Sequence, residues 1–444
     1  MKKKVYIGCL YSQTGIVGEE SYKNYLLLKE SIQYAITKYK VNIELELIYK
    51  DLGDNLDNYY NWVLYCVKKY NIKYFFGCWR SNERKKIIPL LIKYNLRLFY
   101  PNQYEGFECI NNIYYFGPTI NQQLIPGLKY MFSQFLDKKD VYVIGNDYIY
   151  VHISDKIIKN FIKNNESTYH KKYVKSLYIP FNISQEKIKQ KIINFVQYML
   201  DKSSNGAIII NLINGMKLNV FFQKIIYDLY YKKYKKLNNN YHFQTNKFLN
   251  YIKSNKSIFI DSYEKYPVIS LSTLEDLYQK KDLKYLYNDF ICQNFTDEIL
   301  ENSNFQLYNG LGNVDEDTYF LITYRNKNNI KISGTLYSTF LSTLFFAKTL
   351  SIMLKKDLNI HNVNQYNQEK NIEVLSINGY HALNNNNNIT NNFVIAKLNE
   401  KNIFKVIYQS YKNISPKVYL IENQTVDCDV TFKEQIVSII PNKL

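Results

Sequence analysis

The sequence predicts an α/β protein built as two tandem units, each an open, mostly parallel sheet with helices on both faces. Three observations predict it. Short apolar, β-rich segments alternate with amphipathic helical segments over short connections. The alternation restarts as a second series near Asn121. Hydrophobic residues make up 46% and aromatics 16% of 444 residues, while Pro (8) and Gly (15) are scarce, so the chain has ample material for cores and excludes collagen-like or linker-dominated designs.

The elements follow in order. Val5–Tyr11 reads as a strand, and Ser21–Lys40 as a helix with Leu26, Leu27, Ile32 and Ile36 at helical spacing. Ile43–Ile48 is a strand, Asn58–Tyr70 a helix and Tyr74–Cys78 a short buried strand. Ser81 then falls where a helix N-cap belongs, with Arg84 opening a helix to Tyr94, and Leu96–Tyr100 is the next strand. The second series runs Gln122–Leu136 (helix), Val141–Ile144 (strand), Ser154–Lys163 (helix) and Lys175–Ile179 (strand). It continues with Glu186–Leu200 (helix), Ala207–Asn211 (strand), Leu218–Tyr230 (helix) and Pro267–Leu271 (strand). From Tyr231 to Lys265 the pattern breaks into a basic, Asn-rich stretch that reads as an inserted surface loop or an overextended helix. Asn384–Asn388 reads as a second low-complexity loop.

Composition narrows the function. The 57 basic residues exceed the 39 acidic ones by 18, but the excess is mostly Lys spread along helix faces, so nucleic acid is not the expected partner. No uninterrupted run approaches the roughly 18 apolar residues of a membrane helix. The segment after the basic start MKKK is only VYIGCLY with no small-residue cleavage site after it, which reads as a cytoplasmic chain, with an extracytoplasmic one as the alternative. The six cysteines (Cys9, Cys66, Cys78, Cys109, Cys292, Cys428) form no CxxC and read as free thiols; metal-site spacing is absent and no cofactor is expected. No G-x-S-x-G, P-loop, G-x-G-x-x-G or H-E-x-x-H occurs, and His152 near Asp147 and Tyr148 reads as a loop histidine, so the expectation is a protein that is not an enzyme.

Ligands of open α/β sheets collect at strand carboxyl ends. Those ends carry Trp79-Arg80-Ser81, Pro101-Asn102-Gln103, Gly145-Asn146-Asp147-Tyr148, Leu212-Ile213-Asn214 and Ser272-Thr273. Neutral donors and acceptors between aromatic walls suit a small, polar, uncharged ligand.

The same segments carry a family resemblance. FGCWRSNERKKIIPLL, LFYPNQYEGFEC, NNIYYFGPTINQQLIPGLKY and VYVIGNDYIY resemble the urea and short-chain amide branch of the type I periplasmic solute-binding proteins, a branch that includes the amide sensor controlling aliphatic amidase expression. NLINGMKLNVFF, VISLSTLEDL, YLYNDFICQNF and the closing INGYHALNNNNNITNNFVIAKLNEKNIFKVIYQS extend the likeness, densest over Phe76–Tyr148. It implies two Rossmann-like lobes joined by three hinge crossings, with one ligand clamped between them: residues 1–121 and 294–371 in the first lobe, 122–293 (with the insertion at about 231–265) in the second, and 372–444 as the second lobe's closing ribbon and tail. It further implies ligand contacts from Trp79, Ser81, Tyr100, Asn102 and Gln103 in the first lobe, and from Tyr148, Leu212, Ile213, Asn214, Ser272 and Thr273 in the second. The implied ligand is urea or a short amide, and the implied partner a regulatory protein or a permease, with a homodimer as a further expectation.

Three departures stand out. Arg80 replaces a smaller or neutral residue, Asn214-Gly215-Met216-Lys217 is bulkier than the pattern, and the basic insertion has no counterpart. Two other readings stay open. One is a branched-chain-type amino-acid receptor, with Arg80 facing a carboxylate and Glu275 or Asp147 an ammonium. The other is a basic interaction protein with a vestigial pocket.

Overall fold

The computed structural model describes residues 3–106, 108, 110–180, 183–234, 262, 264–272, 289–308, 315–358, 372–384, 387–399, 404–410 and 412–417. The chain divides into two compact units. The first holds the residues up to Gln123, Asn294–Phe393 and those from Gln409; the second holds Leu124–Gln293 and Val394–Tyr408.

In the first unit, strands β1 (Lys3–Leu10), β2 (Ile43–Ile48), β3 (Tyr74–Gly77), β4 (Arg97–Tyr100) and β5 (Ile113–Tyr115) form a five-stranded sheet in the order β2-β1-β3-β4-β5. Every pair is parallel. The helices between them are α1 (Gly18–Lys38), α2 (Leu56–Tyr70) and α3 (Ser81–Lys93). α2 starts where Asn55 accepts a hydrogen bond from the Asp57 N–H at 2.9 Å, and ends at Asn71 in the left-handed region. α2 and α3 cover one face through Tyr59, Val63, Ile87 and Leu91. α1 covers the other through Leu27, Leu28 and Ile32.

In the second unit, α4 (Leu124–Gln134) leads to β6 (Asp140–Asn146). Then follow α5 (Ile149–Asn164), the single turn α6 (Glu166–Tyr169), β7 (Lys172–Ile179), α7 (Gln185–Lys202), β8 (Ala207–Leu212), α8 (Met216–Tyr234), β9 (Val268–Ser270) and β10 (Asp289–Gln293). β7, β6, β8, β9 and β10 lie side by side and parallel. Ile192, Phe195, Val196, Phe222 and Ile226 of α7 and α8 pack on Ile144 and Ile209 of the sheet. α8 continues through the start of the predicted insertion, with Tyr230 and Tyr231 buried; residues 235–261 lie outside the described residues.

The chain returns to the first unit with α9 (Asp297–Tyr308), α10 (Glu316–Asn328) and α11 (Gly334–Lys355). α11 packs against α1 and is buried on nearly every side. It is long and apolar enough to cross a membrane, but nearly all of it is buried in the protein, which makes it a core helix.

The hairpin β11 (Glu373–Ser376) and β12 (Gly379–Ala382) also belongs to the first unit. There His381, fully buried, hydrogen-bonds the Thr390 carbonyl through Nδ1 at 2.8 Å, so Nδ1 carries the proton and Nε2 accepts from the Tyr337 hydroxyl at 3.1 Å. Burial pushes its pKa down to about 4. Of residues 372–444, the second unit takes β13 (Val394–Leu398) and β14 (Phe404–Gln409) as far as Tyr408. β13 pairs antiparallel with β10, which ties that segment to the second sheet. Of the Asn384–Asn388 run, Asn385 and Asn386 lie outside the described residues, and Asn387 and Asn388 border β5. The Tyr115 N–H donates to the Asn387 carbonyl at 2.8 Å, and the Ile389 N–H to the Tyr115 carbonyl at 3.0 Å, so the segment closes the β5 edge.

Candidate functional site

Both sheets have a switch point where successive connections leave in opposite directions: between β1 and β3 in the first, and between β6 and β8 in the second. The candidate residues cluster at these carboxyl ends.

At the end of β3 the backbone is contorted. Gly77 has φ +121°, and a Cβ there would lie 2.4 Å from the Leu10 carbonyl oxygen. Cys78 has φ +64°, and its N–H donates to that same carbonyl at 2.8 Å. Trp79 follows, half-buried. The helix then begins at Ser81 itself, three residues before the predicted Arg84, with Arg80 at the cap position. Ser81 is not the cap because Glu83 takes that role. Its carboxylate accepts from the N–H groups of Trp79 (2.7 Å) and Arg80 (3.0 Å). Burial raises the Glu83 pKa, with the Arg80 cation opposing it.

Arg80 is bound at both ends of its guanidinium, Nε to Glu83 at 2.6 Å and Nη2 to Asp54 at 3.2 Å. Arg80 is thus matched by carboxylates of the chain itself, not left open as the counter-charge for a ligand carboxylate.

Ser81 donates its hydroxyl proton to Glu105 Oε2 at 2.7 Å. Glu105 belongs to an ionic cluster whose Arg84, Glu105 and Glu108 are fully buried and whose Lys85 is partly exposed. Arg84 Nη2 reaches Glu105 at 2.9 Å and Glu108 at 2.9 Å, Arg84 Nε reaches Glu108 at 3.1 Å, and Lys85 Nζ reaches Glu108 at 2.8 Å. The rings of Tyr100 and Tyr104 lie 4.6 and 5.0 Å from the Arg84 guanidinium carbon. Burial alone would raise the Glu108 pKa, but Arg84 and Lys85 overcome it and hold it down at about 2. The cluster staples the segment after β4 to the first turns of α3.

On that segment, Asn102 donates from Nδ2 to the Trp79 carbonyl at 2.6 Å, while its Oδ1 is buried without a protein partner. The Tyr100 hydroxyl makes long contacts to the carbonyls of Trp79 (3.5 Å) and Gln103 (3.4 Å). Gly117 backs this turn, since a Cβ there would lie 1.9 Å from the Asn102 carbonyl oxygen. The structure thus brings Tyr100 and Asn102 onto the Trp79 carbonyl, with the Gln103 carbonyl also beside the Tyr100 hydroxyl and Ser81 held on Glu105.

In the second unit, Asn214 bridges two strand ends. Its N–H donates to Asn146 Oδ1 at 2.6 Å and its Nδ2 to the Tyr148 hydroxyl at 2.6 Å. The Leu212 and Ile213 side chains are buried, Ile213 in the core beneath α7 and α8. Ser272 is half-buried at the end of β9; Thr273 and Glu275 lie outside the described residues. Asp147 pairs with His152 Nε2 at 2.6 Å, and His152 sits on α5 against the Tyr178 ring rather than in a loop.

Sequence reasoning passed over the β1 end, where the Ser12 hydroxyl donates to the Gly53 carbonyl at 2.9 Å and lies 2.6 Å from the Tyr59 hydroxyl. It also passed over Glu105 and Glu108; charged residues in a segment it otherwise read as ligand-facing were their only signal. Cys9, Cys66, Cys78 and Cys292 are buried free thiols, and Cys109 and Cys428 lie outside the described residues. Among the described residues no group of His, Cys, Asp or Glu could hold a metal.

A profile described as the periplasmic binding protein domain matches residues 5–233, more than half of the chain, and the chain belongs to that family. Solved structures share its fold at low identity. A substrate-binding protein of an ABC transporter from Aeropyrum pernix is 10% identical with a TM-score of 0.67, covering 92% of this chain and 96% of that one. A solute-binding protein of an ABC transporter from Rhodopseudomonas palustris BisB5, in complex with 3,4-dihydroxybenzoic acid, is 12% identical with a TM-score of 0.65, over 92% and 97%. A branched-chain amino acid ABC transporter periplasmic ligand-binding protein from Burkholderia xenovorans LB400 is 13% identical with a TM-score of 0.62, over 91% and 95%.

Proposed function

We propose that this protein binds a small neutral solute, urea or a short aliphatic amide, without chemical turnover, as a ligand sensor or as the receptor homologue of a transporter. The observation that carries the reading is charge compensation at the first unit's strand ends. Arg80 is matched by Glu83 and Asp54, and Arg84 by Glu105 and Glu108, so the two guanidiniums nearest Trp79, Ser81 and Asn102 are both engaged by carboxylates. A benzoate or an amino acid brings a carboxylate that needs a charge-assisted partner when buried. An amide needs only hydroxyls, carbonyls and flat aromatic walls, which Ser81, Asn102, Trp79 and Tyr100 supply. The same reading gives ligand contacts to Gln103, Tyr148, Leu212, Ile213, Asn214, Ser272 and Thr273, and a cytoplasmic setting with a regulatory protein or a permease as partner.

A thermal-shift panel tests it. Saturating ligand at about 100 times its Kd adds roughly 2.7 kcal/mol to the stability of the fold it binds. Urea, formamide, acetamide or butyramide should raise the melting temperature, and leucine and benzoate should not. A rise with leucine or benzoate alone would contradict the proposal.

A further inference from the structure

We propose that Glu105, which on this reading touches no ligand itself, is a positioning residue that sets the hydrogen-bond polarity of Ser81 and so selects ligands that donate. The inference rests on the solute-binding reading above. A serine hydroxyl has one proton and two lone pairs. The Ser81 proton is committed to Glu105 Oε2 at 2.7 Å, with Ser81 3% and Glu105 1% exposed, so water does not compete for it. Glu105 cannot release it by donating in turn, because its other oxygen accepts from Arg84 Nη2 at 2.9 Å and a carboxylate so paired is an acceptor only.

What Ser81 offers a ligand is therefore lone pairs. Asn102 reinforces the bias. Its Nδ2 is used on the Trp79 carbonyl, which fixes the amide orientation and leaves Oδ1 as a second buried acceptor without a protein partner. Two acceptors suit an NH₂ group and reject a carbonyl or carboxylate oxygen, since an oxygen there would face oxygens in a dry site.

Glu105→Gln inverts this arrangement at constant shape. Arg84 Nη2 claims the Gln carbonyl, which turns the Gln NH₂ toward Ser81. Ser81 then accepts from the Gln, and its proton is free to point at the ligand. The probes are acetamide and acetone, near-isosteres that differ in the N–H donors, titrated calorimetrically into the intact protein.

Wild type should prefer acetamide by about a hundredfold, and Glu105→Gln should shrink that preference at least tenfold. Glu108→Gln removes the same charge from Arg84 without contacting Ser81, and should leave the preference within about threefold of wild type. If Glu105→Gln does not fold, Ser81→Ala decides the question. Loss of an acceptor shrinks the preference, whereas loss of a donor weakens both probes alike and leaves it unchanged. An unchanged preference in Glu105→Gln or Ser81→Ala, or an equal collapse in Glu108→Gln, overturns the role of Glu105 while leaving the solute-binding reading intact. Wild type that shows no preference for acetamide over acetone overturns the role of Glu105 alone, and failure of wild type to bind any of urea, formamide, acetamide and butyramide overturns both.

Discussion

Replacing Arg84 with Met should be the most damaging single change in the first unit's strand ends. The side chain is fully buried and makes three charge-assisted hydrogen bonds, at 2.9, 2.9 and 3.1 Å, to Glu105 and Glu108. Met keeps much of the volume but leaves two carboxylates in an apolar cage of tyrosines with only Lys85 as a cation. Breaking a buried ion pair from one side costs about 3–5 kcal/mol. Urea denaturation followed by circular dichroism at pH 7 should show a loss of that size. The cause can be separated from lost packing. Because the penalty is the orphaned charge, Arg84→Met/Glu105→Gln/Glu108→Gln should regain at least half of the loss. Wild type carries the same signature in its pH dependence. Glu108 is held down at about 2 from an ordinary 4.5, so its ionised form contributes about 3 kcal/mol above pH 4.5, lost as pH falls toward 2. A loss below about 1 kcal/mol in Arg84→Met, or a triple variant less stable than the single one, would refute the reasoning.

Other consequences follow from the same structure. His381 is held neutral with its pKa near 4, so between pH 6.5 and 4 the unfolded chain takes up a proton that the folded one refuses; stability should fall by about 3 kcal/mol across that window, and the His381→Gln variant should lack this component in a urea-denaturation series against pH. Gly77→Ala forces a Cβ against the Leu10 carbonyl at a backbone angle L-residues avoid, and should cost about 2–3 kcal/mol in thermal unfolding. Tyr148→Phe removes the acceptor of Asn214 Nδ2, and should cost about 1 kcal/mol of stability while weakening acetamide binding in the same calorimeter.

Apart from β5, the alternating strands and longer helices of residues 5–234 were legible because each apolar run is bounded by polar turns and each helix has one apolar face. Ile87, Leu90 and Leu91 are an example, all buried against the first sheet. Helix α11 was not legible, because Leu336 through Met353 is apolar on almost every side and carries no period to read. β5 is three residues long, and its edge is completed by an Asn-rich segment more than 270 residues away in sequence, a pairing no local pattern announces. At the candidate site the residue types were readable and their hydrogen-bond roles were not. Ser81 has the composition of a cap, yet Glu83 caps the helix from inside it. Arg80 has the charge of an anion receptor, yet Asp54 and Glu83 consume it. Donor and acceptor assignments depend on partners 3 to 26 residues away, and only the folded chain supplies them.

The most direct test of the account is a calorimetric titration of acetamide and of urea into wild type and into Ser81→Ala. The account predicts saturable one-to-one binding of at least one of them by wild type, weakened at least tenfold by the substitution, with the variant's melting temperature in the absence of ligand unchanged within a few degrees. Binding of equal strength in both proteins would contradict it.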